Sequence, residues 1–203
     1  MPKISEIFWS AQGEGVHSGC PAVFIRLAGC SLRCPYCDSR ASWSPGRSLG
    51  PAAIAAAVGE WLSPYPQSRL VITGGEPLEQ DLRALVAALK RRHYFVAVET
   101  NGLHFQDLPF DWWTVSPKDA SAYRVHPRLW ERAGEIKLLV TPALELALVK
   151  KIRERTPAPV VLQPQRHDRE RYRRTFAFFK ACAQAGLADV RLGLQLHTVY
   201  RIP

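Results

Sequence analysis

Short apolar, β-branched segments alternate with helical segments along this 203-residue chain, and that alternation restricts the fold more than any other feature. The segments with strand character are Ala22–Ala28, Arg69–Thr73, Tyr94–Thr100, Trp112–Ser116, Glu135–Val140, Val160–Gln163 and Val190–Leu196. The segments with helical character are Pro51–Leu62, Leu78–Arg92, Pro142–Arg155 and Asp168–Ala185. Such alternation builds βαβ units around a mainly parallel sheet. A closed eight-fold barrel needs about 250 residues, so the sequence predicts an α/β fold of the partial, trimmed TIM-barrel type. We expect a single domain over residues 1–203.

Polar motifs follow several of the predicted strands. They are Gly29–Ser39, Gly74–Pro77, Glu99–Gly102, Ser116–Lys118 and Gln163–Gln165. In parallel α/β folds the carboxyl ends of the strands share one edge of the sheet, and ligands bind there. The sequence therefore predicts that these motifs meet around one site.

The chain has a formal net charge of +9. Much of the excess lies in one region, at Lys150, Lys151, Arg153, Arg155, Arg166, Arg169, Arg171, Arg173 and Arg174. No aromatic-basic interleaving or nucleic-acid motif accompanies it, so a solvated helix surface or a docking face for an acidic protein is favoured over nucleic-acid binding. No secretory signal pattern and no apolar run of roughly 18 residues is present, so we expect a cytoplasmic protein that does not bind membranes and keeps its cysteines reduced.

Three of the five cysteines stand on one short loop, as Cys30-x3-Cys34-x2-Cys37. Thiolates select zinc or iron–sulfur over oxygen-loving ions. A structural zinc site would take Cys20 or His17 as its fourth ligand, but no second CxxC-like pair exists to complete the usual arrangement. A 4Fe–4S cluster accepts three protein thiolates when an external ligand binds the fourth iron, and the spacing favours this cluster.

The cysteine loop, followed after the next strand by Gly74-Gly-Glu-Pro77, resembles the radical S-adenosylmethionine (SAM) superfamily. The resemblance implies that the amino and carboxylate groups of SAM bind the open iron. Tyr36 matches the family's aromatic position, which tends to face adenine. Glycines at a strand end also let the backbone approach a ligand closely.

Further motifs are similar to those of the 7-carboxy-7-deazaguanine synthase family over nearly the whole chain. They are Gln12-Gly-Glu14, Arg26, Asp38-Ser39, Thr73-Gly-Gly-Glu, Glu99-Thr-Asn-Gly, Ser116-Pro-Lys and Gln195-x-His197. The resemblance implies a carbon–nitrogen lyase that converts 6-carboxy-5,6,7,8-tetrahydropterin into 7-carboxy-7-deazaguanine by ring contraction with loss of ammonia, on the way to queuosine and other 7-deazapurines. It implies three cofactors, namely a 4Fe–4S cluster, SAM and Mg²⁺.

The same resemblance assigns the site residues. The implied cluster ligands are Cys30, Cys34 and Cys37, and the implied Mg²⁺ ligand is Ser39, where many relatives have Thr. The implied substrate-binding residues are Ala11, Gln12, Gly13, Glu14, Arg26, Thr73, His197 and Pro203, the last through its carboxylate. The implied SAM-binding residues are Tyr36, Asp38, Gly75, Glu76, Glu99, Ser116, Pro117, Lys118, Gln163, Pro164, Gln165 and Arg166.

Some of these residues have simpler interpretations when taken alone. Glu14 is also consistent with an exposed turn carboxylate, Ser39 with a turn residue or a helix N-cap, and His197 with a buried histidine on a final strand. Cys182 suits packing in a helix, and no role follows for Cys20.

The resemblance further implies an electron donor such as flavodoxin and a homodimer. Two other functions remain open on the sequence alone. One is a radical activase that acts on a glycyl residue of a partner protein, and the other is a zinc-bearing, basic RNA-binding module.

Overall fold

The computed structural model describes residues 1–165 and 168–203. The strands are β1 (Lys3–Ala11), β2 (Pro21–Leu27), β3 (Arg47–Ser48), β4 (Arg69–Gly74), β5 (Val96–Thr100), β6 (Trp112–Val115), β7 (Glu135–Val140), β8 (Val160–Pro164) and β9 (Val190–Leu192). The helices are α1 (Pro51–Leu62), α2 (Arg83–Lys90), α3 (Leu129–Arg132), α4 (Leu146–Arg153), α5 (Arg169–Gln184) and α6 (Leu196–Tyr200).

All these strands form one sheet in the order β3-β1-β2-β4-β5-β6-β7-β8-β9. The run from β2 to β9 is parallel throughout, whereas β1 pairs antiparallel with β2 and with β3. In the described residues β3 and β9 are the two edges and do not pair with each other, so the barrel is open. The prediction of a partial βα barrel with mainly parallel strands is confirmed.

The two faces of the sheet bury different residues, because side chains alternate along a strand. Residues such as Ile25, Ile72 and Leu138 point toward the helices and form the main core. Phe24 and its neighbours Val71 and Ala97 form a smaller cluster on the other face. That second face carries polar residues toward the ends of the strands, which is where the site lies. In the described part of the chain, no helix combines the length and the apolar character needed to cross a membrane.

Two of the predicted helices are correct to within a residue or two. Helix α1 runs from Pro51 to Leu62 as expected, and α5 begins at Arg169 because the carboxylate of Asp168 accepts a hydrogen bond of 2.9 Å from the backbone N–H of Arg171. Gly186, with a φ of 69°, follows the end of α5.

Other predicted elements are shorter than expected. The helix predicted from Leu78 begins only at Arg83, because the side chain of Asp81 accepts a hydrogen bond of 3.1 Å from the Arg83 backbone N–H and starts a new turn there. The strand predicted to run from Val190 to Leu196 ends at Leu192. His197 therefore lies on the short helix α6 and not on a final strand, which corrects that alternative.

Strand β1 has no counterpart among the predicted elements. Its register with β2 shifts between Ile4 and Glu6, so a β-bulge interrupts the alternation that identifies a strand in a sequence. The register with β2 places Ala11, the last residue of β1, beside Pro21 at the amino end of β2. The Gln12–Gly15 segment continues from there to the cavity, where Gln12 contacts Glu99 and Glu14 contacts Lys137.

Candidate active site

A cavity of about 340 Å³ opens at the carboxyl ends of the parallel strands. It is bounded by most of the residues that the sequence singled out. These are Ala11, Gln12, Gly13, Glu14, Arg26, Cys30, Cys34, Tyr36, Cys37, Asp38, Ser39, Thr73, Gly75, Glu76, Glu99, Ser116, Lys118, Gln163, Gln165, His197 and Pro203. Pro117 and Pro164 do not line it, and Arg166 lies outside the described residues. The structure thus brings segments that are far apart in the chain to one place.

The cysteine loop follows β2 and presents three thiols to the cavity. The backbone N–H groups of Leu32 and Arg33 donate to the sulfur of Cys30, and the N–H of Cys37 donates to the carbonyl of Cys34 at 3.0 Å. Burial raises the pKa of the Cys30 thiol and of the Cys37 thiol, so both depend on a bound cation to become thiolates.

Tyr36 ties the cysteine loop to the loop after β6. Its hydroxyl donates a hydrogen bond to the carboxylate of Asp119, in the turn Asp119–Ser121. Burial and this carboxylate raise the pKa of the Tyr36 hydroxyl far above its usual range, so it remains a donor. In the same β6 loop, the ammonium group of Lys118 donates to the hydroxyl of Ser116 at 2.7 Å.

Glu76 connects the loop after β4 with the end of β5. Its buried carboxylate accepts hydrogen bonds from the Thr100 hydroxyl at 2.6 Å, from the Asn101 N–H at 2.7 Å and from the Leu78 N–H at 3.0 Å. Burial raises its pKa, although these three donors act in the opposite direction. The carboxylate is therefore committed to neighbouring protein groups, and the backbone of this loop is the part left for a ligand.

Two of the three glycines between β1 and β2, Gly13 and Gly15, lie where a side chain would not fit. A Cβ atom at Gly13 would lie 2.3 Å from Nδ1 of His197, so the glycine lets α6 approach the cavity. Gly15 has a φ of 72°, and a Cβ there would lie 2.3 Å from the buried carboxylate of Glu135. Glu14 stands between them and is held out of solvent, which excludes the interpretation as an exposed turn carboxylate.

Lys137 lies beneath Glu14 on β7 and is the main site residue that the sequence analysis missed. Its ammonium group donates to the carboxylate of Glu14 and lies 3.2 Å from Oε2 of Glu99. Burial alone would raise the pKa of Glu14, but the Lys137 charge and the hydrogen bonds from Lys137 and Gln195 lower it to about 2. A lysine inside the apolar run Glu135–Val140 was the available signal, because a charge in a buried strand needs a partner.

A second row of hydrogen bonds runs along the opposite wall. The amide of Gln195 donates to Glu14 at 2.6 Å and to Asp38 at 2.9 Å. The hydroxyl of Ser39 donates to Asp38 at 3.0 Å and accepts from Nη1 of Arg26 at 2.8 Å. These contacts connect the cysteine loop to β2 and to the residue that precedes α6.

Two aromatic rings complete this wall and were not identified from the sequence. Phe8 on β1 and Phe24 on β2 stack with ring centroids 5.1 Å apart, and the guanidinium of Arg26 lies 5.2 Å from the Phe8 centroid. Phe24 lies in a strand that the sequence predicted, but its contact with Phe8 joins two separate segments and gave no signal in the sequence.

Comparison with known proteins agrees with this geometry. The model of the radical SAM superfamily matches residues 24–137. A 7-carboxy-7-deazaguanine synthase of Aquifex aeolicus is 36% identical over 180 residues, which cover 82% of this chain and 79% of the relative. The synthase of Escherichia coli is 32% identical over 227 aligned positions, which cover 98% of each chain. The crystal structure of QueE from Escherichia coli matches with a TM-score of 0.77 and 29% identity, covering 97% of this chain and 94% of that one.

The chain belongs to the 7-carboxy-7-deazaguanine synthase family of radical SAM enzymes. Membership of this family implies a 4Fe–4S cluster and SAM as cofactors, which makes the zinc alternative and the activase alternative unnecessary.

The residues around the cavity of this synthase family member fit both cofactors, the 4Fe–4S cluster and SAM. Three soft sulfur donors share one loop, as an iron–sulfur cluster needs, and backbone N–H groups already point at one of them. Among the buried side-chain atoms around the cavity that have no hydrogen-bond partner in the described residues are Oε1 of Gln163 and Nδ2 of Asn101. Buried polar atoms are almost always paired, so these two atoms suit the polar groups of a bound ligand.

Glu14, Asp38 and His197 bring two carboxylates and an imidazole within 4.8 Å of one another. The Glu14 carboxylate is already neutralised by Lys137 and bound by Gln195, so we assign no ion to this trio. It forms a polar wall, with acceptors and an imidazole side by side.

Proposed function

We propose that this protein converts 6-carboxy-5,6,7,8-tetrahydropterin into 7-carboxy-7-deazaguanine by a Mg²⁺-dependent ring contraction that releases ammonia. One observation carries the proposal. The three-cysteine loop and a wall with both a guanidinium and an ion-paired carboxylate border the same cavity. A radical-generating centre and a recognition surface for a carboxylated, hydrogen-bond-rich ring thereby share one enclosed space.

The proposed substrate contacts divide the pterin between two walls. Arg26 is fixed by Glu6, whose Oε1 lies 2.7 Å from Nε, and by Ser39, which accepts from Nη1. The N–H groups that remain on its two Nη atoms bind the substrate carboxylate. Gln12 and Glu14 read the aminopyrimidinone edge through an amide and a carboxylate. His197 contacts the same ring from α6. Backbone groups of Ala11 and Gly13, the hydroxyl of Thr73 and the carboxylate of Pro203 complete the proposed set.

The proposed cofactor contacts lie on the remaining loops. Cys30, Cys34 and Cys37 hold the cluster, and Tyr36 packs against the adenine of SAM. The other proposed SAM contacts are Asp38, Gly75, Glu76, Glu99, Ser116, Pro117, Lys118, Gln163, Pro164, Gln165 and Arg166. When bound, the reduced cluster and SAM supply one-electron chemistry that begins with hydrogen abstraction from the substrate. The chain's own part is to orient the substrate and to keep water out.

We propose Ser39 as the protein ligand of Mg²⁺. Its hydroxyl is a hard, neutral oxygen, and Mg²⁺ keeps several waters and takes few protein ligands. The adjacent Asp38 carboxylate, 3.0 Å from the Ser39 hydroxyl, supports a cation at this position. A Mg²⁺ ion held by Ser39 would orient the substrate carboxylate.

The proposed partners follow from charge and from exposed apolar groups. An acidic electron donor such as flavodoxin suits the net charge of +9. A homodimer, in which each copy is a single domain of residues 1–203, is supported by apolar side chains exposed near the β9 edge, including Leu192 and Leu194.

Anaerobic reconstitution tests the proposal. Purified protein loaded with iron and sulfide should absorb as a 4Fe–4S protein and, with SAM, Mg²⁺ and a reductant, should turn the pterin into 7-carboxy-7-deazaguanine. Cys34→Ala should abolish both cluster loading and product. Cys20→Ala is the matched control, since Cys20 does not line the cavity and should leave cluster loading intact. Product formed by the Cys34 variant would refute the proposal.

A further inference from the structure

Lys137 is a buried cation whose charge is balanced by two carboxylates from different parts of the chain. Its side chain is 8% exposed, and its partners Glu14 and Glu99 are 13% and 19% exposed. Removing a charge from water is costly unless a partner compensates it. Glu14 comes from the loop after β1 and Glu99 from β5, so Lys137 joins two walls of the cavity from below.

These groups form a closed ring of hydrogen bonds. Lys137 donates to Glu14 and to Oε2 of Glu99. Oε1 of Glu99 accepts from the amide of Gln12 at 2.9 Å, and Oε1 of Gln12 accepts from the backbone N–H of Glu14 at 3.2 Å. The ring fixes the position and the orientation of the Glu14 carboxylate from both its side chain and its backbone.

The Glu14 carboxylate has acceptor capacity to spare. One oxygen accepts from Lys137 and the other from Gln195, whereas an ionised carboxylate offers about four acceptor positions. About two positions therefore remain for a ligand, one on each oxygen. Such a pair of acceptors matches two adjacent N–H donors, as on an aminopyrimidinone edge.

We propose that Lys137 is a positioning residue that keeps Glu14 ionised and oriented, so that its carboxylate accepts two adjacent N–H bonds from the substrate ring. This inference rests on the proposed function, which supplies the ring. Lys137 acts through the two carboxylates to which its ammonium group donates, Glu14 and Glu99. Its replacement acts on recognition through Glu14.

Other charged groups lie around Glu14 and its partner Lys137. They are Asp38 on the cysteine loop, Glu99 on β5, Lys118 after β6, Glu135 on β7 and His197 on α6. Among the charged groups of the described residues, Lys137 is the one that the structure places in direct hydrogen-bond contact with the Glu14 carboxylate. Without Lys137, the main cause that lowers the pKa of Glu14 is lost, so burial shifts that pKa upward.

Binding of 6-carboxypterin, an unreactive analogue with the same aminopyrimidinone edge, tests this inference without turnover. The dissociation constant would be measured by fluorescence at about pH 6 and about pH 7.5 for the cluster-loaded protein. The wild-type constant should change little across this range. For Lys137→Met it should rise at least about tenfold, and more at the lower pH, because Glu14 is then protonated. Lys137→Arg should recover part of the affinity.

Two further variants separate positioning from folding. Lys90→Met is the matched control, since it removes a lysine paired with Asp111 at 2.6 Å outside the cavity. It should leave both dissociation constants at the wild-type values. Glu14→Gln mimics the neutral form and should bind weakly and equally at both pH values, which keeps the test available if Lys137→Met does not fold.

A Lys137→Met variant that binds the analogue within about twofold of wild type would overturn the inference, as would an equal loss at both pH values. Failure of the proposed function looks different. In that case wild-type protein itself would neither bind 6-carboxypterin nor form the deazaguanine.

Discussion

A Cβ atom added to Gly75 would lie 1.7 Å from the carbonyl oxygen of Gly29, so the backbones of these two residues are in direct contact. The contact is fixed by hydrogen bonds from the Gly75 N–H to the Leu27 carbonyl at 2.9 Å and from the Glu76 N–H to the Gly29 carbonyl at 2.8 Å. The loop after β4 thus packs against the first residues of the cysteine loop. This packing accounts for the glycine on its own, before any approach to a cofactor is considered.

Gly75→Ala should therefore destabilise the protein and impair cluster loading. Overpacking at a site with no room to relax costs about 1–3 kcal/mol, and the displaced backbone carries the cysteine loop with it. Urea unfolding and iron content per chain are the measurements. Gly59→Ala in α1 is the matched control, since its Cβ would meet nothing nearer than 3.8 Å, and it should stabilise the protein by about 0.5–1 kcal/mol. A Gly75→Ala variant with full stability and iron content would contradict the packing argument.

Glu76 gives a pH prediction. Its pKa is raised in the folded protein, so its contribution to stability is complete below the pKa of the unfolded state and is lost as the pH rises through the folded pKa. Glu76→Gln removes this titration and also leaves one of three buried donors without an acceptor, at about 1–3 kcal/mol. The variant should have a lower free energy of unfolding than wild type, and this difference should be larger at about pH 5 than at about pH 8.

Urea unfolding of both proteins at the two pH values measures this difference in the free energy of unfolding. Because the glutamine side chain of the variant does not ionise, only the wild-type curve carries the titration of this site. A gap that stays constant, or widens toward higher pH, would show that burial does not dominate the ionisation of Glu76.

The sequence predicted the order of the strands and helices well, because the parallel strands are buried on both faces and appear as continuous apolar runs. Val23, Leu70 and Leu138 illustrate this pattern. The sequence-based prediction of helices and strands failed where a local contact ended or concealed an element. Asp81 delays the start of α2, and the bulge near Ile4 conceals β1.

The sequence predicted the part of the candidate site that consists of recognisable motifs. Cysteine spacing and the loops at strand ends identified most of the cavity wall, since parallel strands bring their carboxyl ends together. Lys137 was missed because its significance depends on Glu14 and Glu99, which lie 123 and 38 residues away along the chain. A pairing at such a distance in sequence is visible only after folding. The individual roles of the site residues stay predictions.

Ser39 provides a test of the proposed Mg²⁺ site. Ser39→Ala removes the only hard oxygen that this side chain offers, so activity should fall at least about tenfold and no longer depend on Mg²⁺ in the range that activates wild type. Ser39→Thr keeps the hydroxyl and its hydrogen bonds to Asp38 and from Arg26, so its Mg²⁺ dependence should stay close to wild type. Activity against Mg²⁺ concentration is the measurement. An alanine variant that is slower but has an unchanged Mg²⁺ midpoint would count against Ser39 as the ligand.

Arg26 combines three contacts that a lysine does not reproduce. Its Nε lies 2.7 Å from Glu6, its Nη1 donates to Ser39 at 2.8 Å, and its plane lies over the ring of Phe8. Lysine keeps the charge but has no planar fork. Arg26→Lys should thus raise the KM for the pterin about tenfold or more with a smaller change in kcat, since the carboxylate contact exists both before and during the reaction.

Steady-state kinetics at saturating SAM measure this effect. Arg83→Lys is the control, because Arg83 forks onto Asp81 through Nε at 2.9 Å and Nη2 at 2.7 Å but does not line the cavity. It should leave the KM at the wild-type value. Both variants retain the positive charge, so a KM that is raised for Arg26→Lys alone would show that the planar geometry of the Arg26 guanidinium matters. Equal KM values for the two variants would mean that Arg26 does not hold the substrate carboxylate.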